Sequence, residues 1–137
     1  MDKTLLVLLS IAALTYVVTV NLVVNFYDDN PKNMQWEDRE EYNRQFIAQL
    51  SFDNYTVEQI LEELGGPDIT EATQIKDTYY QVMFYRTQHV KSDSITSQDE
   101  CSYLLFRNGK LVKTGQGVQY PKNWQILNNL TIKHNYQ

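Results

Sequence analysis

One cysteine, two histidines and few basic side chains remove most familiar chemistry from this 137-residue chain. With Cys101 alone, no intramolecular disulfide can form. Cys101 opens an apolar run, a position that predicts a buried, inert thiol. His89 lies in a polar stretch and His134 near the C-terminus, neither in a metal-ligand pattern, so no metal is expected. Neither histidine is placed to activate Cys101 as a nucleophile. Asp99 and Glu100 are neighbours, and on a strand neighbours point to opposite faces, so they form no acid–base pair. Gly65-Gly66 closes a helix instead of opening one and offers no phosphate cradle. The chain is therefore expected to have no catalytic residue, no cofactor and no enzymatic activity.

Positive charge is also scarce. Twelve Lys and Arg face seventeen Asp and Glu, a net charge of −5. Nucleic-acid binding needs a basic face, so no nucleic-acid partner is expected. The deficit is uneven: residues 28–71 carry twelve acidic and three basic side chains, whereas residues 72–137 carry four and eight. This reads either as two ordinary solvated surfaces or as two halves that present opposite fields to a partner.

What the chain does have is a long uncharged run at its start. Thr4 to Val24 is 21 residues without a charge. At 1.5 Å per residue this spans the roughly 30 Å hydrocarbon core of a bilayer. It exceeds the apolar core of about 7–15 residues in a signal peptide, and no small-x-small cleavage site follows. No cysteine ends the run, which excludes a lipoprotein signal. Residues 1–24 therefore read as an uncleaved transmembrane anchor, with the membrane contact made by residues 4–24. Lys3 and the amino terminus lie on one flank, Asp28 and Asp29 on the other. The positive-inside rule places the N-terminus in the cytoplasm and residues 25–137 outside it. Tyr27 and Trp36 are candidates for the interface. The alternative is a cleaved signal that releases a secreted inhibitor or binding domain.

Beyond the anchor, residues 25–35 form a polar linker. About 110 residues are enough for one domain, and ten Tyr, five Phe and two Trp predict an aromatic-rich core. Trp36 to Leu50 places Phe46, Ile47 and Leu50 at helical spacing, with Glu37, Asp38, Glu40 and Glu41 early in the helix. In "TVEQILEELGGPD", Thr56 and Gln59 predict a capping box, and Val57, Ile60, Leu61 and Leu64 make one apolar stripe. Gly65 in a left-handed conformation and Pro67 end the helix. Glu58 and Glu62 lie on its polar side as like charges four residues apart, where local stability does not ask for them. They read as a solvated acidic face or, alternatively, as a candidate partner surface.

"DTYYQVMFYRT", Asp77 to Thr87, reads as a strand. Tyr80, Val82 and Phe84 make the cleaner face and are expected to meet the helices. Tyr79, Met83 and Tyr85 then lie on the other face, which is either covered by the linker or the C-terminal tail or exposed as an aromatic and methionine stripe, a candidate interaction surface. Residues 89–100 read as a loop. "CSYLLFRNGKLVKTGQ" is a hairpin about Asn108-Gly109, pairing Arg107 with Lys110, Phe106 with Leu111 and Leu105 with Val112. Residues 119–137 read as a tail in which Trp124, Leu127 and Leu130 are helically spaced and Pro121 can start a short helix. The fold class is α+β: two N-terminal helices on a three-stranded antiparallel sheet, the domain spanning residues 36–118.

The capped helix, its "LGGP" stop, the aromatic strand "YYQVMFYRT" and the hairpin "DECSYLLFRNGKLV" together resemble the BamE (SmpA/OmlA) type of small envelope protein over residues 36–116. More closely, they resemble a BamE-like proteobacterial family of unknown function. The resemblance implies two helices on a three-stranded sheet in the Gram-negative periplasm. It also implies an accessory role in envelope or outer-membrane protein assembly, by contact with protein partners of the envelope and with lipid. The chain departs from the pattern in lacking the lipid-bearing cysteine and in carrying an anchor that would hold it in the inner membrane. "SFDNYT" also stands where a glycine often precedes the cap.

Overall fold

The computed structural model describes residues 2–26, 30, 33–52 and 54–134. Helix α1 runs Lys3–Phe26 and none of its residues is buried. Its polar side chains bond back along their own helix. Ser10, Thr15 and Thr19 hydroxyls donate to the carbonyls of Leu6, Ile11 and Thr15, each at 2.8 Å. The Asn21 and Asn25 amides donate to Val17 and Asn21 at 2.9 Å. Such i−4 bonds satisfy polar groups without water, which an apolar surrounding requires. The helix takes in Asn25 and Phe26 of the expected linker; Tyr27, Asp28 and Asp29 lie outside the described residues.

Helix α2, Trp36–Ala48, and helix α3, Val57–Leu64, follow. The start of α3 is set by the capping box expected from its sequence. The Gln59 N–H donates to Thr56 Oγ1 at 3.3 Å and the Thr56 N–H to Gln59 Oε1 at 2.9 Å. Its end differs in detail: Gly65 has φ 74° and ψ −163°, not the left-handed helical pair. That region is open essentially to glycine alone, so the same residue type is demanded for a different reason.

The sheet has four strands, one more than expected, in the order β1 (Ile69–Ile75), β2 (Thr78–Arg86), β3 (Cys101–Arg107), β4 (Lys110–Gln116). All neighbours are antiparallel. The additional strand, β1, has the sequence ITEATQI and lies at an edge, mostly exposed. Its polar composition hides it from a search for apolar runs. Asn108 and Gly109 make the expected tight turn, with φ 48° and 82°. Arg107 pairs with Lys110 and Phe106 with Leu111, but Leu105 pairs with Lys113 instead of Val112. The shift is a bulge that adds one residue to β4.

Both faces of the sheet are buried. Met83, Tyr85, Leu104, Phe106 and Leu111 pack under Ile60 and Leu64 of α3 and under Tyr42, Phe46, Ile47 and Leu50. Tyr80, Val82, Phe84, Cys101, Tyr103 and Leu105 form the opposite face, covered by Tyr120, Trp124, Ile126, Leu127 and Leu130. This reverses the expected orientation: the helices sit on the Met83 and Tyr85 face, not on that of Tyr80, Val82 and Phe84. Both faces were apolar, so the cleaner alternation did not identify the one the helices take. The segment expected as a tail supplies the second cover. Helix α4 runs Ile126–His134, beginning beyond both Pro121 and Trp124. Gln98 ties this cover down, donating to the carbonyls of Gly117 and Tyr120, both at 2.8 Å.

Candidate functional site

The five surface residues expected from the sequence divide into two groups. Met83 and Tyr85 are 1% and 0% exposed. Tyr85 donates its hydroxyl proton to the Gly65 carbonyl at 2.8 Å, inside the packing of α3 on the sheet. Its burial pushes the phenol pKa up, so it stays neutral. These two are core residues, and their expected exposure is corrected. Tyr79 is 45% exposed, and Glu58 and Glu62 are exposed on α3.

Tyr79 and Glu58 lie around one feature, the Asn108-Gly109 turn, and Glu62 lies one turn further along α3. The Tyr79 N–H donates to Asn108 Oδ1 at 2.9 Å and the Asn108 N–H to the Tyr79 carbonyl at 2.8 Å. On the other side of the turn the Val57 N–H donates to the Gly109 carbonyl at 3.1 Å. Glu58 follows Val57 directly, so the start of β2, the turn and the start of α3 make one end of the domain.

The opposite end, where β2 leaves the sheet, holds a polar cluster centred on Arg86. Its Nε stands 3.4 Å from Glu40 Oε2 and its Nη2 3.8 Å from Glu100 Oε1. Its Nη1 donates to Thr96 at 3.3 Å and its Nη2 to His89 Nδ1 at 2.8 Å. The guanidinium carbon lies 5.2 Å from the centre of the Trp36 ring, a cation–π distance. Trp36 in turn meets the His89 ring at 5.7 Å. A cleft of about 420 Å³ opens here, lined by Trp36, Arg86, His89, Lys91, Ser92 and Ser94.

Beneath the cluster Glu100 is 0% exposed. Its carboxylate accepts from the N–H groups of Lys91, Val90 and Ser97 at 3.0, 3.1 and 3.3 Å. Those bonds hold its pKa down at about 2, outweighing the cost of burial, with Arg86 adding a smaller effect. Glu100 is thus the anchor of the 89–97 loop. Cys101 beside it is fully buried, and burial pushes its thiol pKa up to about 12. Such a thiol stays protonated at neutral pH and is a poor nucleophile. Among the described residues no group of three His, Cys, Asp or Glu side chains is placed to hold a metal ion.

Sequence reading missed the Arg86 cluster. Its members come from α2, β2 and the 89–100 loop, and no local pattern joins them. The one available signal was a charged residue at the end of the aromatic run "QVMFYR", because an arginine there needs partners.

An apolar N-terminal helix long enough to cross a membrane or act as a signal sequence, followed by an α+β domain with a four-stranded antiparallel meander, defines the class. Residues 20–120 match the model of DUF3192, described as a protein of unknown function, and the chain belongs to that family. No curated protein and no solved structure matches it.

Proposed function

We propose that the protein is a non-enzymatic, single-pass protein-interaction module of the bacterial envelope. It is anchored in the inner membrane with its domain in the periplasm. The observation that carries this is α1: a 24-residue helix with no buried residue, whose polar side chains are satisfied within the helix. Lys3 on one flank and Asp28 and Asp29 on the other favour a cytoplasmic N-terminus. The BamE-like resemblance favours an accessory role in envelope or outer-membrane protein assembly. Helices on an antiparallel sheet support that likeness; the fourth strand and the covered second face depart from it. The contact surface runs from the Asn108-Gly109 end, with Tyr79 and Glu58, along the acidic face of α3 to Glu62; Met83 and Tyr85 have no part in it.

The test is photo-crosslinking in cells from Glu62 of the full-length protein, with mass spectrometry of the adducts and of the intact chain. Adducts to envelope-assembly proteins, from a chain that keeps residues 1–24, support the proposal. An intact mass lacking the first ~20–25 residues would mean a cleaved signal and a released binding domain. A chain that stays anchored yet gives no protein adduct from Glu62 overturns the contact surface.

A further inference from the structure

A second, smaller chamber of about 170 Å³ shares Trp36 and Arg86 with the outer cleft. Its wall includes Arg39, Glu40, Asn43, Asp68, Arg86 and Thr96. Buried side-chain atoms without a hydrogen-bond partner are few among the described residues, and they are Arg39 Nε, Glu40 Oε2, Asn43 Oδ1, Arg86 Nε and Tyr120 Oη. All but the tyrosine belong to residues of this wall. Arg86 and Glu40 approach each other at 3.4 Å as an ion pair, but not in hydrogen-bond geometry. Asn43 is the most telling member. It is 1% exposed, its amide nitrogen donates to the Arg86 carbonyl at 3.1 Å, and its Oδ1 has no partner. Folded proteins seldom leave such atoms unpaired; Arg86 Nε and Glu40 Oε2 have each other as ion-pair partners, and Arg39 Nε and Asn43 Oδ1 are the donor and the acceptor left without any.

The set has a definite chemical sense. Two guanidinium Nε–H groups offer donors, and a carboxylate and an amide oxygen offer acceptors. The charges on the wall balance, Arg39 and Arg86 against Glu40 and Asp68. A simple anion would meet the carboxylates, and a simple cation the guanidiniums, each at a cost. A small molecule carrying both charges suits this wall: its anionic group accepts from Arg39 Nε beside the Arg86 charge, and its ammonium donates to Asn43 Oδ1 beside the Glu40 carboxylate. The volume equals about six waters at ~30 Å³ each, enough for the head of an α-amino acid. Trp36 and Arg86 also line the 420 Å³ cleft, which gives a substituent on the head somewhere to go.

We propose that this chamber binds a compact zwitterion, with an ammonium and an anionic group only a few bonds apart. Two sources share that chemistry: free α-amino acids and the phosphoethanolamine head of a lipid. The site lies at the end of β2 opposite the Tyr79 surface, so the proposal stands independently of the partner reading.

The experiment uses the full-length protein in detergent micelles, titrated with L-alanine, O-phosphoethanolamine, acetate and methylammonium at up to ~10 mM, read by calorimetry and by Tm. Alanine or phosphoethanolamine is expected to bind and to raise Tm by several degrees, while the two half-ligands leave it in place. Preference for alanine identifies the amino acid as the source, and preference for phosphoethanolamine the lipid head. Glu40→Gln removes the ammonium's charged partner at constant shape and is expected to weaken the zwitterion about tenfold or more. Equal shifts from acetate or methylammonium would overturn the proposal. So would no binding of either zwitterion to the wild-type protein, which would make the chamber a hydrated void only.

Discussion

Glu100 shows how much of the Arg86 end of the domain depends on one buried carboxylate. Three backbone N–H groups converge on it, so its charged form is the one the fold holds. The pKa falls from an ordinary 4.5 to about 2 in the folded protein. A depressed carboxylate contributes stability that is fully present above its unfolded pKa and is lost as pH falls through the folded one. Stability is therefore expected to decline between about pH 4.5 and 2 as this group takes up its proton. Glu100→Gln should lower Tm at neutral pH and flatten the acid limb of a Tm–pH curve; an unchanged limb would remove Glu100 from this role. Tyr85 and Tyr79 make a second comparison at this scale. Tyr85 is fully buried and Tyr79 is 45% exposed. Tyr85→Ala is expected to cost about 3–5 kcal/mol in urea unfolding, and Tyr79→Ala less than about 1 kcal/mol. Equal losses would contradict the packing of α2 and α3 on the Met83 face.

Among the elements, α3 was the most legible because its instructions are local. Thr56, Gln59, the apolar stripe and Gly65 each act within one or two turns. The reciprocal capping bonds predict that Thr56→Ala costs about 1 kcal/mol, read by chemical denaturation. A loss near zero would mean that packing alone defines the start of α3. The hairpin was equally legible, since Asn108-Gly109 specifies its turn. Its bulge was not, because the sequence LVKT on β4 pairs plausibly in either register. Strand β1 shows a different limit. ITEATQI lacks a buried face of its own and becomes a strand through pairing with β2, from Ile69 opposite Phe84 to Ile75 opposite Thr78. Edge strands are commonly this polar, which discourages pairing with other chains.

For the whole molecule, the sheet is a middle layer. The second cover, from Tyr120 onward, is aromatic at its centre. Tyr120 meets Phe84, Tyr103 and Trp124 at ring distances of 5.5, 4.9 and 5.8 Å. Leu127 is 1% exposed in the same cluster. Leu127→Ala is expected to cost about 2–5 kcal/mol of unfolding free energy, far more than truncating a loose tail would. A cost below about 0.5 kcal/mol would show the cover to be peripheral.

The sequence by itself determined whatever depends on neighbours along the chain: the uncharged N-terminal helix, the capped α3, the Asn108-Gly109 turn, the α+β class and the inert setting of Cys101. Those features rest on short-range hydrogen bonds and on periodicity, which a linear reading captures. Only the tertiary structure decided which face of β2 meets the helices. It also decided that the C-terminal segment covers the other face, and that Arg39, Glu40, Asn43, Asp68 and Arg86 share one chamber. The physical reason is that both faces of β2 are apolar, so neither excludes the other, and the choice falls to how three separate segments bury the most surface together. The chamber is a by-product of that choice. Its residues are 62 positions apart at the extremes of Met34 and Thr96, and the docking of α2 against the end of β2 brings Asn43 to Arg86.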